Sequence, residues 1–466
     1  MNVDVKQIES VVRKAITRTL KENTFSSLGL GIFSDMDDAI EAASKAQGSL
    51  ISMNFSKRSK LIDAMRAEML KEENISLISQ MAVDETRMGR YDHKLIKNRL
   101  AIEKTPGVED LRAECWSGDG GLTLLEFSPF GVIGAITPTT NPSETIICNS
   151  IGMIASGNSV VFSPHPRAKN TSLKTVEILN KAIIEAGGPR NLVTTITRPS
   201  LEAVEAMMKH PKIEMLVATG GPGVVKAVLS SGKKAIGAGA GNPPAVVDET
   251  ADIEKAAVDI INGCSFDNNL PCIAEKEVIV VESVADYLIF NMKQHGAYEI
   301  KDEDTIKELM KVVLNDNGNP SGEFMGKSPA YILDKIGIKV DENILVIIVE
   351  VDKDHPFVVK ELMMPILPIV RVENFDKAVE VAVEVEHGNR HTAIMHSKNV
   401  DNLSRLAKEI QTTIFVKNGP SYAGIGVGGE GYSTFTIAGP TGEGLTSAKS
   451  FTRKRRCTLM GGLFIK

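Results

Sequence analysis

Val5, Ile8, Val12, Ile16 and Leu20 recur at three- and four-residue spacing, while Lys6, Glu9, Arg13, Lys14 and Arg18 fall largely between them. That period predicts a short amphipathic helix over residues 1–20, followed by a looser linker over 21–29. From residue 35 to about 99 the pattern stays helical, with few glycines or prolines. Residues 121–126 then read as extended, and 113–130 is expected to form a hairpin. After Gly131 the period changes. Short apolar runs at 131–136, 158–163, 192–197 and 213–218 are each followed by a helix-like stretch. Such alternation predicts a parallel sheet with helices on both faces, an architecture that binds nucleotides at the ends of its strands. A second alternating series, from about 253 to 415, predicts a second α/β domain. The expected organisation is a cofactor-type domain over 30–240, a second domain over 241–430, and a return to the first over 431–466. The apolar stretch 457–466 is expected to add a strand to another sheet.

Composition narrows this picture without changing it. Over 466 residues, 42% hydrophobic and 24% charged content are those of a globular chain with ample core. A net charge of -6 gives no general attraction to nucleic acid. The one basic run, Arg453-Lys454-Arg455-Arg456, reads better as a solvated face or a subunit contact. Cysteines 115, 148, 264, 272 and 457 are scattered, with no CxxC and no His/Cys cluster, so neither a disulfide framework nor a metal site is expected. That usage fits a reducing cytoplasm. No apolar stretch reaches the roughly 18 residues that span a membrane. Asp4, Lys6 and Glu9 stand where a secretory signal would be apolar.

Candidate chemistry centres on Cys272, which follows Pro271 in a loop and precedes the apolar run 278–281. A thiol held still in a strand-flanked loop is a candidate nucleophile. Unpaired cysteines are more often small buried hydrophobes, and Cys148 and Cys264, inside predicted helices, are read that way. The glycine-rich run 237–241 (GAGAG) is followed by Asn242-Pro243-Pro244 and an extended segment where a dinucleotide-binding loop would open a helix. Thr219-Gly220-Gly221-Pro222-Gly223, between a strand and a helix, is the better site for an anion such as pyrophosphate.

Taken in order, the runs 131–142 (GVIGAITPTTNP), 155–164 (ASGNSVVFSP), the Thr219 turn, Cys272 and 361–365 (ELMMP) resemble the aldehyde dehydrogenase superfamily. The resemblance extends over nearly the whole chain from about residue 30. Within it, 137–142, 163–169 (SPHPRAK), 386–388 (EHG) and 450–457 (SFTRKRRC) are similar to the CoA-acylating branch. That branch includes the microcompartment enzymes of ethanolamine and propanediol utilisation and the aldehyde half of bifunctional aldehyde–alcohol dehydrogenases. The resemblance implies two α/β domains with an oligomerisation strand and hairpin. It also implies NAD as cofactor with NADP open, coenzyme A as co-substrate, and a short-chain aldehyde.

Residue by residue, it makes Cys272 the nucleophile and gives the oxyanion to its own N–H and the Asn141 amide, although strict register would put Thr140 there. Thr137, Pro138, Thr140, Ser163, His165, Thr219, Gly220, Gly221, Gly237 and Glu361 would line the cofactor site. His387 is a candidate acid/base for the CoA thiol, against the reading of a hydrogen-bonded structural histidine, and Asn418 would line the aldehyde pocket or simply hold a turn. Two departures matter. Hydrolytic relatives carry a water-activating glutamate where this chain has Gly237, and a ribose-contacting lysine where it has Ser163. Without that glutamate, a thiol is the better nucleophile toward a thioester. The resemblance further implies a dimer or tetramer and, through residues 1–20, a microcompartment shell partner, which would place the enzyme in the cytoplasm inside a compartment. The rivals are a hydrolytic dehydrogenase releasing free acid and a non-catalytic shell-binding or assembly protein.

Overall fold

A computed structural model describes residues 27–463 and 465, so the helix expected over 1–20 lies outside the described residues. The helical stretch resolves into Met36–Leu50, Phe55–Met69, Glu72–Thr86 and Tyr91–Lys104. Two of these start on side-chain caps. Asp35 Oδ1 accepts from the Asp37 N–H at 2.8 Å, and Asn54 Oδ1 accepts from the Lys57 N–H at 3.0 Å.

The first sheet has seven strands, in the order Ser27–Gly29, Ile32–Phe33, Val193–Ile196, Ser159–Ser163, Val132–Ile136, Ile213–Thr219, Lys234–Ala238. From Ile32–Phe33 onward all pairings are parallel. Val132–Ile136 and Ser159–Ser163 are buried along their whole length, which explains runs that are continuously apolar rather than alternating. The chain proceeds from Val132–Ile136 to one side, then returns to lay Ile213–Thr219 on its other side. The crevice beyond these two strand ends is therefore the point where strand order reverses, and ligands bind at such points.

The second sheet is also seven-stranded and wholly parallel, in the order Ala297–Ile300, Val346–Glu350, Ile366–Val372, Glu277–Val281, Pro244–Val247, Thr392–His396, Ile414–Lys417. One apolar core joins the two sheets, from Ile133 and Val160 to Ile260 and Val278. Lys234–Ala238 leads through residues 239–243 into the strand Pro244–Val247, with no helix between, so 237–241 is not a dinucleotide-binding loop.

Thr452–Met460, Gly121–Pro129 and Glu114–Gly118 form an antiparallel third sheet. The C-terminal strand begins five residues before the expected 457, taking in the basic run, and ends at Met460. Nine-residue pairing with Gly121–Pro129 supplies its backbone hydrogen bonds, so polar side chains are carried along on an exposed ribbon. Gly121, at φ +122°, is required there because a Cβ would sit 2.0 Å from the Leu459 carbonyl oxygen. Among the described residues no helix is long and apolar enough to cross a membrane, and no group of His, Cys, Asp or Glu is placed to hold a metal ion.

Candidate active site

The crevice beyond the first sheet meets the leading ends of the second sheet's strands. Thr137–Asn141 follows Val132–Ile136, and Thr219–Gly221 follows or ends Ile213–Thr219. Facing them, Cys272 precedes Glu277–Val281, Glu361 precedes Ile366–Val372, and His391 immediately precedes Thr392–His396. All of these groups line one cavity of about 390 Å³.

The Cys272 loop is held by an unusual backbone. Asp267, Asn268 and Asn269 all lie in the left-handed region, at φ 52°, 54° and 65°. Asp and Asn tolerate that region better than other side-chain-bearing residues. Asn269 Nδ2 donates to the Cys264 and Glu275 carbonyls at 3.0 and 2.9 Å, and Asn268 Nδ2 donates to the Gly326 carbonyl at 2.9 Å. Buried Lys276 closes the loop by donating to the Asn269 carbonyl at 2.9 Å and to Asn269 Oδ1 at 2.6 Å. Gly241 makes room for the thiol's backbone, since a Cβ there would stand 2.6 Å from the Cys272 carbonyl and 2.9 Å from His391 Cγ.

Burial pushes the Cys272 thiol up to about 12, and the Glu361 carboxylate pushes it the same way. Glu361 is itself raised by burial, with Lys276 and the Gly241 N–H opposing; that N–H donates to Oε1 at 3.4 Å. Burial pushes the His391 imidazole down to about 4, and Lys276 adds to the effect. His391 is therefore neutral at physiological pH. Its Nδ1 lies 2.9 Å from Thr392 Oγ1, while its buried Nε2 has no hydrogen-bond partner among the described residues. The cavity thus offers a thiol that needs deprotonation and an uncharged base on the same wall.

Asn141 opens the helix Pro142–Ala155 and is buried at the cavity wall. Two lysines from Tyr91–Lys104 support it from below. Lys97 Nζ donates to Asn141 Oδ1 at 2.6 Å, and Lys94 Nζ donates to the Thr140 carbonyl at 2.6 Å. Asp267 balances both at 2.6 and 2.9 Å, and Glu144 stands 3.2 Å from Lys97. Burial works against ionising Asp267, but Lys94 and Lys97 outweigh it and hold its carboxyl below the usual range.

On the opposite wall the turn Thr219–Gly221 leads into Pro222–Leu229, whose start has no side-chain cap. Among the described residues, Cβ atoms on Gly220, Gly221 or Gly223 would meet nothing within 4 Å, so the uncapped helix start is open to a ligand. Val224 also lines a neighbouring cleft of about 850 Å³, with Leu201, Val204, Met208 and Ala227 as its apolar walls.

Of the residues expected in the site, Thr137, Pro138, Thr140, Asn141, His165, Thr219, Gly220, Gly221, Cys272 and Glu361 line the cavity. Four do not. His387 is exposed at φ 58°, with Nε2 3.2 Å from the Val359 carbonyl, because the chain turns left-handed there after the helix Phe375–Val385. His391, four residues on, lines the cavity instead. Asn418 is exposed and holds a turn, its amide exchanging hydrogen bonds of 2.8 and 2.9 Å with the Ser397 backbone. Ser163 is buried at the end of its strand. Gly237 faces the helix Pro222–Leu229, where a Cβ would stand 2.7 Å from Val225 Cγ1. The wall at this strand end is Ala238, Gly239 and Ala240, which carry no carboxylate. Reading the residues alone missed His391, Lys94, Lys97 and the apolar cleft. For the lysines a signal was available, since both share a helix stripe with buried Asn98 and Ala101.

The family model described as the aldehyde dehydrogenase family matches residues 14–309 and 345–453. The chain belongs to this family. Among members, it is 48% identical to the propanal dehydrogenase (CoA-propanoylating) of Salmonella typhimurium strain LT2 over the whole of both chains. A crystal structure of Rhodopseudomonas palustris propionaldehyde dehydrogenase with bound CoA and an acylated cysteine is 63% identical, with a TM-score of 0.92, covering 93% of this chain and 99% of that one. An engineered glycolyl-CoA reductase with bound NADP+ is 62% identical, with a TM-score of 0.93, over 94% of this chain and 100% of that one. A propionaldehyde dehydrogenase from the Clostridium phytofermentans fucose utilisation microcompartment is 55% identical, with a TM-score of 0.92, at the same coverages.

Proposed function

We infer that this chain is a CoA-acylating aldehyde dehydrogenase that converts propionaldehyde or acetaldehyde, CoA and NAD(P)+ to acyl-CoA and NAD(P)H. The observation that carries this is one cavity lined by both Cys272 and neutral His391, beside a wall at 238–240 that has no carboxylate to activate water. The related structures with CoA, an acylated cysteine or NADP+ support the same reading.

His391 Nε2 takes the Cys272 proton as sulfur attacks the aldehyde carbon, giving a thiohemiacetal. The Cys272 N–H and the Asn141 amide stabilise the oxyanion. NAD(P)+ held in this cavity would supply the acceptor for the hydride of that carbon. Collapse of the oxyanion leaves an acyl thioester on Cys272, with one proton released to solvent through His391. The CoA thiol then gives its proton to His391 and attacks the thioester, and Cys272 leaves as the thiolate. The open start of Pro222–Leu229 would hold the pyrophosphate, with Glu361 on the nicotinamide side. The cleft at Leu201, Val204 and Val224 would seat adenine. NAD(P) and CoA both carry an ADP portion, so one groove can serve each in turn in a ping-pong cycle.

The test is cofactor reduction with propionaldehyde, with and without CoA, for NAD and NADP separately. Strict CoA dependence with acyl-CoA as product is expected. CoA-independent turnover to free acid would overturn the acylating assignment in favour of a hydrolytic one.

We also propose that copies pair through the three-stranded sheet, whose exposed ribbon carries Trp116 and Met460, and that residues 1–20 bind a microcompartment shell protein. Their amphipathic pattern and the fucose microcompartment relative motivate the second proposal. Deleting 1–20 is expected to spare turnover and abolish co-sedimentation with shells. A truncated enzyme that still co-sediments would contradict it.

A further inference from the structure

We propose that Lys97 is a positioning residue for the oxyanion site, setting the direction and donor strength of the Asn141 amide. An ammonium group only donates hydrogen bonds, so its 2.6 Å contact forces Asn141 Oδ1 toward Lys97 and turns Nδ2 the other way. One Nδ2 hydrogen goes to Thr140 Oγ1 at 3.2 Å. The other is left for the cavity that Asn141 shares with Cys272. A cation on the amide oxygen also draws electron density from nitrogen, which strengthens the remaining N–H as a donor, and the effect is greatest where water is excluded. Lys97 is wholly buried, and Asp267 and Glu144 beside it outweigh that burial and keep its ammonium charged.

The arrangement also links the two halves of the site. Asp267, which balances Lys97 at 2.6 Å and Lys94 at 2.9 Å, is the first residue of the left-handed run that leads to Cys272. Its own N–H donates to His93 Nδ1 at 2.7 Å, and its Oδ1 accepts from the Arg90 N–H at 2.8 Å. One buried carboxylate therefore ties the nucleophile's loop to the lysines that grip Thr140 and Asn141. The donor and the thiol are held to a common anchor, although they come from different sheets.

The proposal rests on Asn141 being the oxyanion donor, and the test separates the two claims. Steady-state kcat and KM are measured per folded molecule for Asn141→Ala, Lys97→Met and the double variant. Asn141→Ala is expected to lower kcat by about 10²-fold or more. Lys97→Met should lower it by a factor of about 10 or more, with KM for NAD(P) and aldehyde within about twofold, because the loss falls in the transition state. The double variant should be no slower than Asn141→Ala alone, since Lys97 acts only through that amide. Lys97→Met leaves two buried carboxylates facing one lysine. If it does not fold, the charge-balanced pair Lys97→Met/Glu144→Gln replaces it, with the same expectations. Losses that multiply in the combined variant, or unchanged kcat when Lys97 is removed, would overturn the proposal while leaving Asn141 as donor. Full activity in Asn141→Ala would remove the oxyanion assignment itself, and the proposal with it.

Discussion

Replacing Cys272 with alanine is expected to cut CoA-dependent turnover by roughly 10⁴-fold or more, the scale of losing a covalent nucleophile. Cofactor affinity should stay within about threefold. The size follows from the cavity's chemistry, because every step of the proposed cycle passes through a bond to this sulfur. The selectivity follows from its position. Cys272 belongs to the loop that leads into the second sheet, whereas the open helix start at Gly221–Gly223 belongs to the first. Removing Sγ therefore leaves the cofactor's wall intact. Cys264 gives the control. It is fully buried in Ile253–Ser265, and burial, reinforced by Glu275, holds its thiol well above the ordinary range. Cys264→Ser should keep the chemistry of the enzyme that folds. Loss of turnover there, with retention in Cys272→Ala, would reverse the nucleophile assignment.

Replacing His391 with glutamine is expected to lower kcat by about 10²- to 10⁴-fold, the range for losing a positioned base. The pH profile should change as well. With its imidazole pushed down to about 4, His391 is unprotonated from about pH 5 upward. The native enzyme should therefore lose acyl transfer only as pH falls toward 4, and stay nearly flat between 6 and 8 in this step. The variant must rely on the small thiolate fraction of free CoA, whose thiol resembles a model thiol near 8.5. Its rate should climb by about tenfold per pH unit below that value. His387→Ala, at the exposed turn, should change neither kcat nor its pH dependence appreciably. A His391→Gln profile parallel to the native one, or an effect confined to His387→Ala, would contradict the assignment.

Most of the fold was legible in the sequence because its elements are regular. Buried parallel strands leave continuous apolar runs, and Val132–Ile136, Ser159–Ser163 and Ile213–Thr219 lie within a residue of where those runs fall. The site was legible where a motif fixes a strand end, as at 137–141, 219–221, Cys272 and Glu361. It was not legible where the outcome depends on which way one residue faces. His387 and His391 are both histidines on one short segment, and the left-handed residues His387, Gly388 and Arg390 turn the first outward and let the second enter the cavity. Gly237 and Ala238 are neighbours on one strand, so alternation sends one toward Val225 and the other toward the cavity. The C-terminal strand was misjudged because its charged residues are tolerated on an exposed ribbon, where pairing rather than burial defines the element.

The central claim is that the acyl group rests on Cys272 and leaves on CoA. It is tested most directly by mass spectrometry of the enzyme after propionaldehyde and NAD(P)+ without CoA, followed by addition of CoA. The predicted result is one propionyl group on the peptide containing Cys272. It should persist in buffer and discharge as propionyl-CoA within the turnover time once CoA is added. An adduct on another cysteine, or one that hydrolyses to propionate at the same rate with and without CoA, would contradict the account.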